Sequence, residues 1–185
     1  MLTSDKMKRQ IIILLLISSH CLAFQFWLGA QLCGTTVAKT LTPGFALNGT
    51  FQVKDFPVTF RYSASDDGGL FKYPTEAIKE KAILTGYNLQ NTIPAFHQMV
   101  SIGVSQIDGR HRSTRNDEPI GGGWFEFTTY DYVNYSVIGL TAAYSAKKIL
   151  LPTIAIGLSV GGTLSKEMSY YSASLSLNIG YFQTR

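Results

Sequence analysis

The side chains best able to do chemistry are concentrated in one stretch, DGRHRSTRNDEP, at residues 108–119. It contains His111, Ser113, Asp117 and Glu118, the residue types of a serine hydrolase. In such an enzyme the histidine takes the proton of the serine, and an acid orients the histidine. The spacing here does not enforce either contact, and solvated loops commonly collect polar residues. We therefore expect no catalytic residues and no enzymatic activity.

The same stretch holds a basic cluster, which consists of Arg110, His111, Arg112 and Arg115. Arginine binds phosphate through two parallel hydrogen bonds, so the cluster is a possible surface contact for phosphates. The alternative is ion pairing with the acids of the same loop, which is common and weak at exposed sites. We favour ion pairing, and the phosphate contact is the alternative use of the cluster.

Neither a cofactor nor a metal site is expected. The run GGGW at residues 121–124 lacks the Lys-Ser/Thr pair and the strand-to-helix context of a phosphate-binding loop. After residue 23 the sequence has one cysteine, Cys33. A single cysteine excludes an internal disulfide and a multi-cysteine zinc site.

Residues 1–23 predict a cleaved secretory signal peptide. Basic residues precede the apolar run IIILLLI at residues 11–17, and small residues lead to a cleavage site after Ala23. Met7 is an alternative start. The full chain has 16 Lys and Arg against 12 Asp and Glu, and three of those basic residues lie in the leader. The remaining chain, residues 24–185, is nearly balanced in charge, so we do not expect nucleic acid binding.

Strict alternation of apolar with small or polar residues dominates the rest of the chain. The last such stretch is YYSASLSLNIGYF, at residues 170–182. This period of two predicts strands with one apolar face. Six stretches are regular: 24–34, 44–53, 57–64, 96–106, 150–162 and 170–182.

Two further stretches are less regular. Residues 79–90 fit a strand, although residues 75–84 could instead form a short helix that begins at Thr75. Residues 132–145 fit a strand of either parity, in which the apolar face is formed by the even-numbered or by the odd-numbered residues, with a bulge near Ile138 and Gly139. Counting both gives eight strands.

The predicted connections alternate in length. Short turns are expected at 54–57, 91–95 and 146–150, and longer loops at 35–43, 66–78, 108–131 and 163–168. Successive connections of an up-and-down antiparallel sheet lie at opposite ends. Short turns at one end and longer loops at the other are typical of transmembrane barrels of the outer membrane.

The composition of the polar face indicates which face points inward. It is free of charge over residues 153–161 and 172–182, whereas a water-soluble surface carries many charges. We therefore expect the apolar face to contact lipid and the lumen to be filled, by Trp27, Gln31, Gln52, Arg61 and Met99. Aromatic girdles are expected at the strand ends, from Phe24, Tyr132, Tyr170, Tyr181 and Phe182. A soluble lipocalin-like barrel that binds a small apolar ligand, and a narrow pore, are the alternatives.

From Phe24 onward the chain resembles the small eight-stranded outer-membrane β-barrels of Gram-negative bacteria, the OmpX/OmpA-like class. The signal peptide, the strand and loop rhythm and the closing SYYSASLSLNIGYF carry this resemblance. It implies an antiparallel up-and-down transmembrane barrel in the outer membrane, without enzymatic activity, that stabilises the envelope or presents loops to a partner. It also implies contact with outer-membrane lipid and lipopolysaccharide. The aromatic end of the last strand, Tyr181 or Phe182, would be recognised by the barrel-assembly machinery. No specific protein partner can be read from the residues.

Overall fold

The computed structural model describes residues 24–37, 40–53, 56–67, 72–73, 76–89, 96–115 and 128–181. The strands in these ranges are β1 (Phe24–Val37), β2 (Thr40–Val53), β3 (Phe56–Asp66), β4 (Lys72–Tyr73), β5 (Ala77–Leu89), β6 (Phe96–Arg115), β7 (Thr128–Leu151), β8 (Ile154–Ser165) and β9 (Ser169–Tyr181). No helix in these ranges is long and apolar enough to cross a membrane. The predicted signal peptide, at residues 1–23, lies outside the described residues.

The eight long strands close into an antiparallel barrel. Each pairs with its neighbour in the order β7, β6, β5, β3, β2, β1, β9, β8, and pairing of β7 with β8 completes the circle. The two-residue β4 adds a short parallel bridge to β7. The predicted fold class, an all-β barrel of eight antiparallel strands, is therefore confirmed.

The apolar face of the strands points outward, as the composition predicted. Along β9, Leu175, Leu177 and Ile179 are 57%, 49% and 59% exposed, whereas Ser176 and Asn178 are buried. The same alternation recurs over much of the other long strands, so large apolar side chains cover the outer wall while Thr, Ser, Asn and Gln fill much of the interior. This distribution is the reverse of that in a water-soluble barrel.

Residues 76–84 are not helical, and Thr75, where the alternative helix would begin, lies outside the described residues. Residues 77–84 belong to β5, and their side chains alternate between the interior and the outer wall. The helical alternative is wrong because the apolar residues Ile78, Ala82 and Leu84 all face the interior. Because most interior positions of this barrel are polar, these three apolar interior residues hide the alternation that marks a strand in the sequence.

β7 shows no bulge at Ile138 and Gly139. Its pairing with β6 is continuous there, and the irregularities lie at Ile149/Leu151 and at Arg112/Arg115. The predicted bulge is therefore wrong. The sequence pattern was misleading because Tyr135 and Val137 are interior residues that pack on an apolar cluster. Both faces of this part of β7 are therefore apolar, which hides its parity.

The predicted turn at residues 146–150 is also wrong. β7 continues to Leu151, and the chain turns at Pro152 and Thr153. Lys147 pairs with His97 and Gly157 and points into the lumen. Proline has no N–H to donate to a sheet, which explains why the ladder ends at this point.

The loop predicted at residues 35–43 is mostly strand. Thr35 pairs with Thr42, and the ladder of β1 and β2 continues to Val37 and Thr40. Likewise β8 extends to Ser165, where the Ser165 hydroxyl bonds the backbone of Met168 and closes a short turn. The predicted alternation of short and long connections is therefore wrong at these two places.

The predicted loop at residues 108–131 consists partly of long strands. β6 extends to Arg115 and β7 begins at Thr128, and residues 106–115 pair with residues 130–138. We call residues 106–115 and 128–138 the β6–β7 ribbon. Residues 116–127, including the predicted loop glycines of GGGW, lie outside the described residues.

Candidate functional site

An ion pair lies in the interior of the barrel, between the adjacent strands β3 and β5. Arg61 of β3 and Glu80 of β5 both point inward, and Arg61 Nη2 donates to Glu80 Oε2 at 2.7 Å. Their side chains are 13% and 1% exposed. A buried carboxylate needs both a counter-charge and hydrogen-bond donors.

Hydroxyl groups supply those donors. The Ser63 hydroxyl donates to Glu80 Oε2 at 3.3 Å. Thr141 Oγ1 of β7 and Thr163 Oγ1 of β8 lie 3.0 and 2.9 Å from Glu80 Oε1. Strands on both sides of the lumen are thus joined through one carboxylate.

Sequence reasoning placed Arg61 in the lumen correctly and missed Glu80. Glu80 follows Lys79 and precedes Lys81 in the sequence. A charged residue between two others, with the apolar residues Ile78 and Ala82 as its neighbours on the interior side of the strand, carries no clear sequence signal. The carboxylate could be placed only once the parity of β5 was known.

An apolar cluster lies in the lumen on the side toward the β6–β7 ribbon. Ile78, Ile107 and Tyr170 are buried there, and Tyr135, Val137 and Met168 pack against them. Tyr170 is 3% exposed, so the prediction that it belongs to an aromatic girdle is wrong. Tyr132 and Tyr181 do face outward, at 55% and 59% exposure.

Trp27 and Lys147 lie in the opposite half of the lumen, where both are buried. Lys147 Nζ lies 4.3 Å from the centroid of the Trp27 ring, an attractive cation–π distance. Ile149 and Ala155 are buried beside Trp27. Lys147 was missed as an interior residue because the sequence pattern placed it in a turn.

The basic cluster lies in strand β6, at the free end of the ribbon. Arg112 is held by acids: its Nη1 lies 2.6 Å from Asp67 Oδ2 and 3.7 Å from Glu76 Oε2. Its guanidinium also lies over the Tyr130 ring, at 5.6 Å from the centroid. These contacts fasten the ends of β3 and β5 to the ribbon.

The other members of the cluster have different surroundings. The Arg110 guanidinium lies 5.9 Å from the centroid of Tyr132, and the His111 ring lies 5.7 Å from that of Tyr135. Arg115 ends β6, opposite Tyr130. The ribbon therefore presents alternating basic and aromatic groups.

The hydrolase-like residues are not brought together within the described part of the chain. His111 contacts Tyr135, and Ser113 is exposed on β6. Asp117 and Glu118 lie outside the described residues. Among the described residues there is no group of three or more His, Cys, Asp or Glu side chains that could hold a metal ion.

The end of the last strand lies at the barrel wall. Tyr181 pairs with Phe26 of β1 and faces outward, and its neighbour Phe182 lies outside the described residues.

Solved structures similar to this chain include small outer-membrane barrels. Neisserial surface protein A is 10% identical, with a TM-score of 0.59 over 85% of this chain and 96% of that one. Ail, the attachment invasion locus protein of Yersinia pestis, is 12% identical, with a TM-score of 0.56 over 85% and 97%. The N-terminal barrel domain of Pseudomonas aeruginosa OprF is 10% identical, with a TM-score of 0.55 over 84% and 97%.

These identities are low, so the similarity is one of fold. No protein-family model matches the chain, and no curated protein matches its sequence. The chain has the fold of the small eight-stranded outer-membrane β-barrels, which agrees with the resemblance drawn from its sequence.

Proposed function

We propose that the protein is a non-enzymatic barrel of the outer membrane that acts through the surface it exposes outside the cell rather than through a pore. Residues 1–23 direct its export, the apolar outer wall contacts lipid, and the ribbon end faces out of the cell. The fold and the apolar outer wall support this proposal. The aromatic end of β9, at Tyr181 or Phe182, serves as the signal for the barrel-assembly machinery.

The single observation that carries the proposal is the combination of a filled lumen and a long ribbon. Eight strands leave an interior that side chains can fill. Here the Arg61–Glu80 pair lies between two buried clusters, one at Trp27 and one at Tyr170. Solute passage is therefore disfavoured, which argues against the narrow pore.

The ribbon offers an interaction surface. β8 ends at Ser165, opposite Gly139, so residues 130–138 of β7 have no partner strand on that side among the described residues. An open strand edge can pair with an extended segment of another protein. The ribbon's aromatic and basic side chains add side-chain contacts to such pairing.

The basic cluster supports a second use of the ribbon, contact with phosphates of lipopolysaccharide. Arg112 already pairs with Asp67 and Glu76 and fixes the ribbon. We assign the phosphate contact to the basic cluster of Arg110, His111, Arg112 and Arg115. Bidentate hydrogen bonding favours arginine for this purpose.

Liposome swelling tests the closed lumen. Proteoliposomes that contain the refolded protein should swell in a small sugar no faster than empty liposomes, and a 16-stranded porin provides the positive control. Swelling at a rate that rises with protein content would refute the closed lumen and favour the pore.

A second experiment tests the ribbon. Detergent-solubilised protein should bind the phosphorylated core oligosaccharide of lipopolysaccharide, which carries no lipid. Arg110→Gln with Arg115→Gln should weaken this binding, whereas Lys166→Gln, at the β8–β9 turn, should not. Equal binding by the wild type, the double variant and Lys166→Gln would refute the phosphate contact. So would equal binding of the wild type to a dephosphorylated oligosaccharide.

A further inference from the structure

We propose that the outer wall of the barrel binds one phosphorylated glycolipid of the outer leaflet. Lys79 and Lys81 would contact its phosphate, and an apolar furrow beside Lys81 would hold an acyl chain. This site is separate from the basic cluster of the ribbon. The inference rests on the proposed location of the protein in the outer membrane.

The furrow lies between two rows of outward-facing side chains that run across the strands. One row contains Phe60, Ile83 and Val104, which are register partners on β3, β5 and β6. The other row contains their neighbours two residues along: Tyr62, Lys81 and Gln106. Positions two apart on a strand are separated by about 6.8 Å, which leaves room for one hydrocarbon chain between the rows.

The furrow continues over β2 and β1. Gly49 stands in the first row as the partner of Phe60 and Leu28 and contributes no side chain. The resulting depression has a volume of about 750 Å³, and its lining includes Leu28, Leu47, Phe60 and Lys81. An added Cβ at Gly49 would meet Leu28 Cδ2 at 3.5 Å, an ordinary contact, so the glycine is not required by close packing.

The two lysines stand at one margin of the apolar wall. Lys79 and Lys81 are both exposed on the face of β5 that also carries Ile83, Tyr87 and Leu89. Toward the other end of β5 that face carries no charge, so the lysines mark the level at which hydrocarbon gives way to headgroups. A lysine facing lipid is stable where its ammonium can reach that level.

Charge complementarity selects the occupant. Within the described part of the chain, no ion pair joins either lysine to an acid. Asp108 is the register partner of Lys79, but its Oδ1 accepts a hydrogen bond from Ser136 at 2.6 Å, toward β7. A phosphate can therefore lie between the two ammonium groups. The lysines lie toward the ribbon end, which the proposed orientation places in the outer leaflet. The phosphorylated lipid of that leaflet is a glycolipid.

Native mass spectrometry of the refolded full barrel with added diphosphoryl lipid A tests the site. Lys79→Gln with Lys81→Gln should weaken the apparent affinity for lipid A by about fivefold for each lysine, because each basic residue near an anionic lipid surface contributes about that factor. Lys148→Gln is the matched control, since Lys148 is exposed at the opposite end of the wall and the change in charge is the same. It should leave binding unchanged.

A second pair of variants tests the furrow. Gly49→Leu should fill it and reduce lipid A binding, whereas Ala142→Leu, on the exposed face of β7, should not. Heat-modifiable migration on gels verifies that each variant is folded, and Lys79→Arg with Lys81→Arg should bind as the wild type does.

Three results would overturn the proposal. They are unchanged binding in the double glutamine variant, an equal loss in Lys148→Gln, and equal binding of phosphatidylglycerol or dephosphorylated lipid A. Failure of the proposed function is a separate result, because a protein absent from the outer-membrane fraction would refute the location whatever its affinity for lipid A in detergent.

Discussion

Removing the carboxylate of Glu80 should destabilise the barrel strongly. Glu80→Ala leaves the Arg61 guanidinium, 13% exposed, without its counter-charge. It also deprives the hydroxyls of Thr141 and Thr163 of the acceptor they share. Loss of one partner of a buried ion pair typically costs about 3–5 kcal/mol. We expect a free energy of unfolding lower by about that amount.

A double-mutant cycle separates the pair from mere side-chain truncation. Arg61→Ala alone should also be costly, because it leaves the 1% exposed carboxylate of Glu80 unpaired. The double variant should be less destabilised than the sum of the single variants by more than about 1 kcal/mol, as expected for residues in direct contact. Arg61→Leu with Glu80→Leu should recover most of the stability, since apolar replacements often substitute for buried pairs.

The assay is urea-induced unfolding in lipid vesicles, followed by tryptophan fluorescence and by heat-modifiable migration. Trp27 lies inside the lumen and provides a suitable probe. A cost below about 1 kcal/mol for Glu80→Ala, with single-variant effects that simply add, would refute the conclusion that this carboxylate joins the strands across the lumen.

Three further predictions concern the wall, the lumen and the topology. Leu175→Arg, midway along the outward face of β9, should lower the free energy of unfolding in lipid by about 2–4 kcal/mol. Ile156→Arg, near the turn at Pro152 and Thr153, should lower it less. The opposite order, measured by unfolding in vesicles, would contradict the assigned level of the membrane. Gly103→Ala should impair refolding more than Gly49→Ala, because a Cβ added at Gly103 would meet the Ile83 carbonyl and, at 2.7 Å, Leu84 Cα. Equal refolding yields of the two variants on gels would argue against this close approach of β6 to β5. Trypsin added to intact cells should cut after Arg115, at the end of β6, and should spare Lys147 within β7, as peptide mapping would show; early cleavage at Lys147 would contradict its position in the wall.

The sequence predicted the architecture because most strands follow a simple rule, apolar outside and small or polar inside. β9 obeys it from Tyr171 to Tyr181 and β8 from Ile154 to Val160, and the faces of these segments are as predicted. The rule fails where the interior is apolar, as at Ile78 and Val137, since two apolar faces leave no alternation to read. It also fails at Lys147, where a charged residue next to Lys148 imitates a turn but lies over an aromatic ring.

The candidate site was less accessible to sequence reasoning than the fold. The partnership of Arg61 with Glu80 depends on register and on strand parity, and neither residue type specifies the other. The ribbon was hidden for a related reason. Basic and polar residues such as Arg110 and Arg112 indicate a loop in the sequence, yet here they occupy a strand that extends beyond its neighbour β5. Pairing between β6 and β7, not composition, determines where that strand ends.

The most direct test of the central claim is fractionation of Gram-negative cells that express the full chain. The protein is predicted in the detergent-insoluble outer-membrane fraction, shortened by its leader, with a faster-migrating band that shifts on boiling. Recovery as a soluble periplasmic protein, with one band regardless of heating, would contradict the account and favour a soluble barrel.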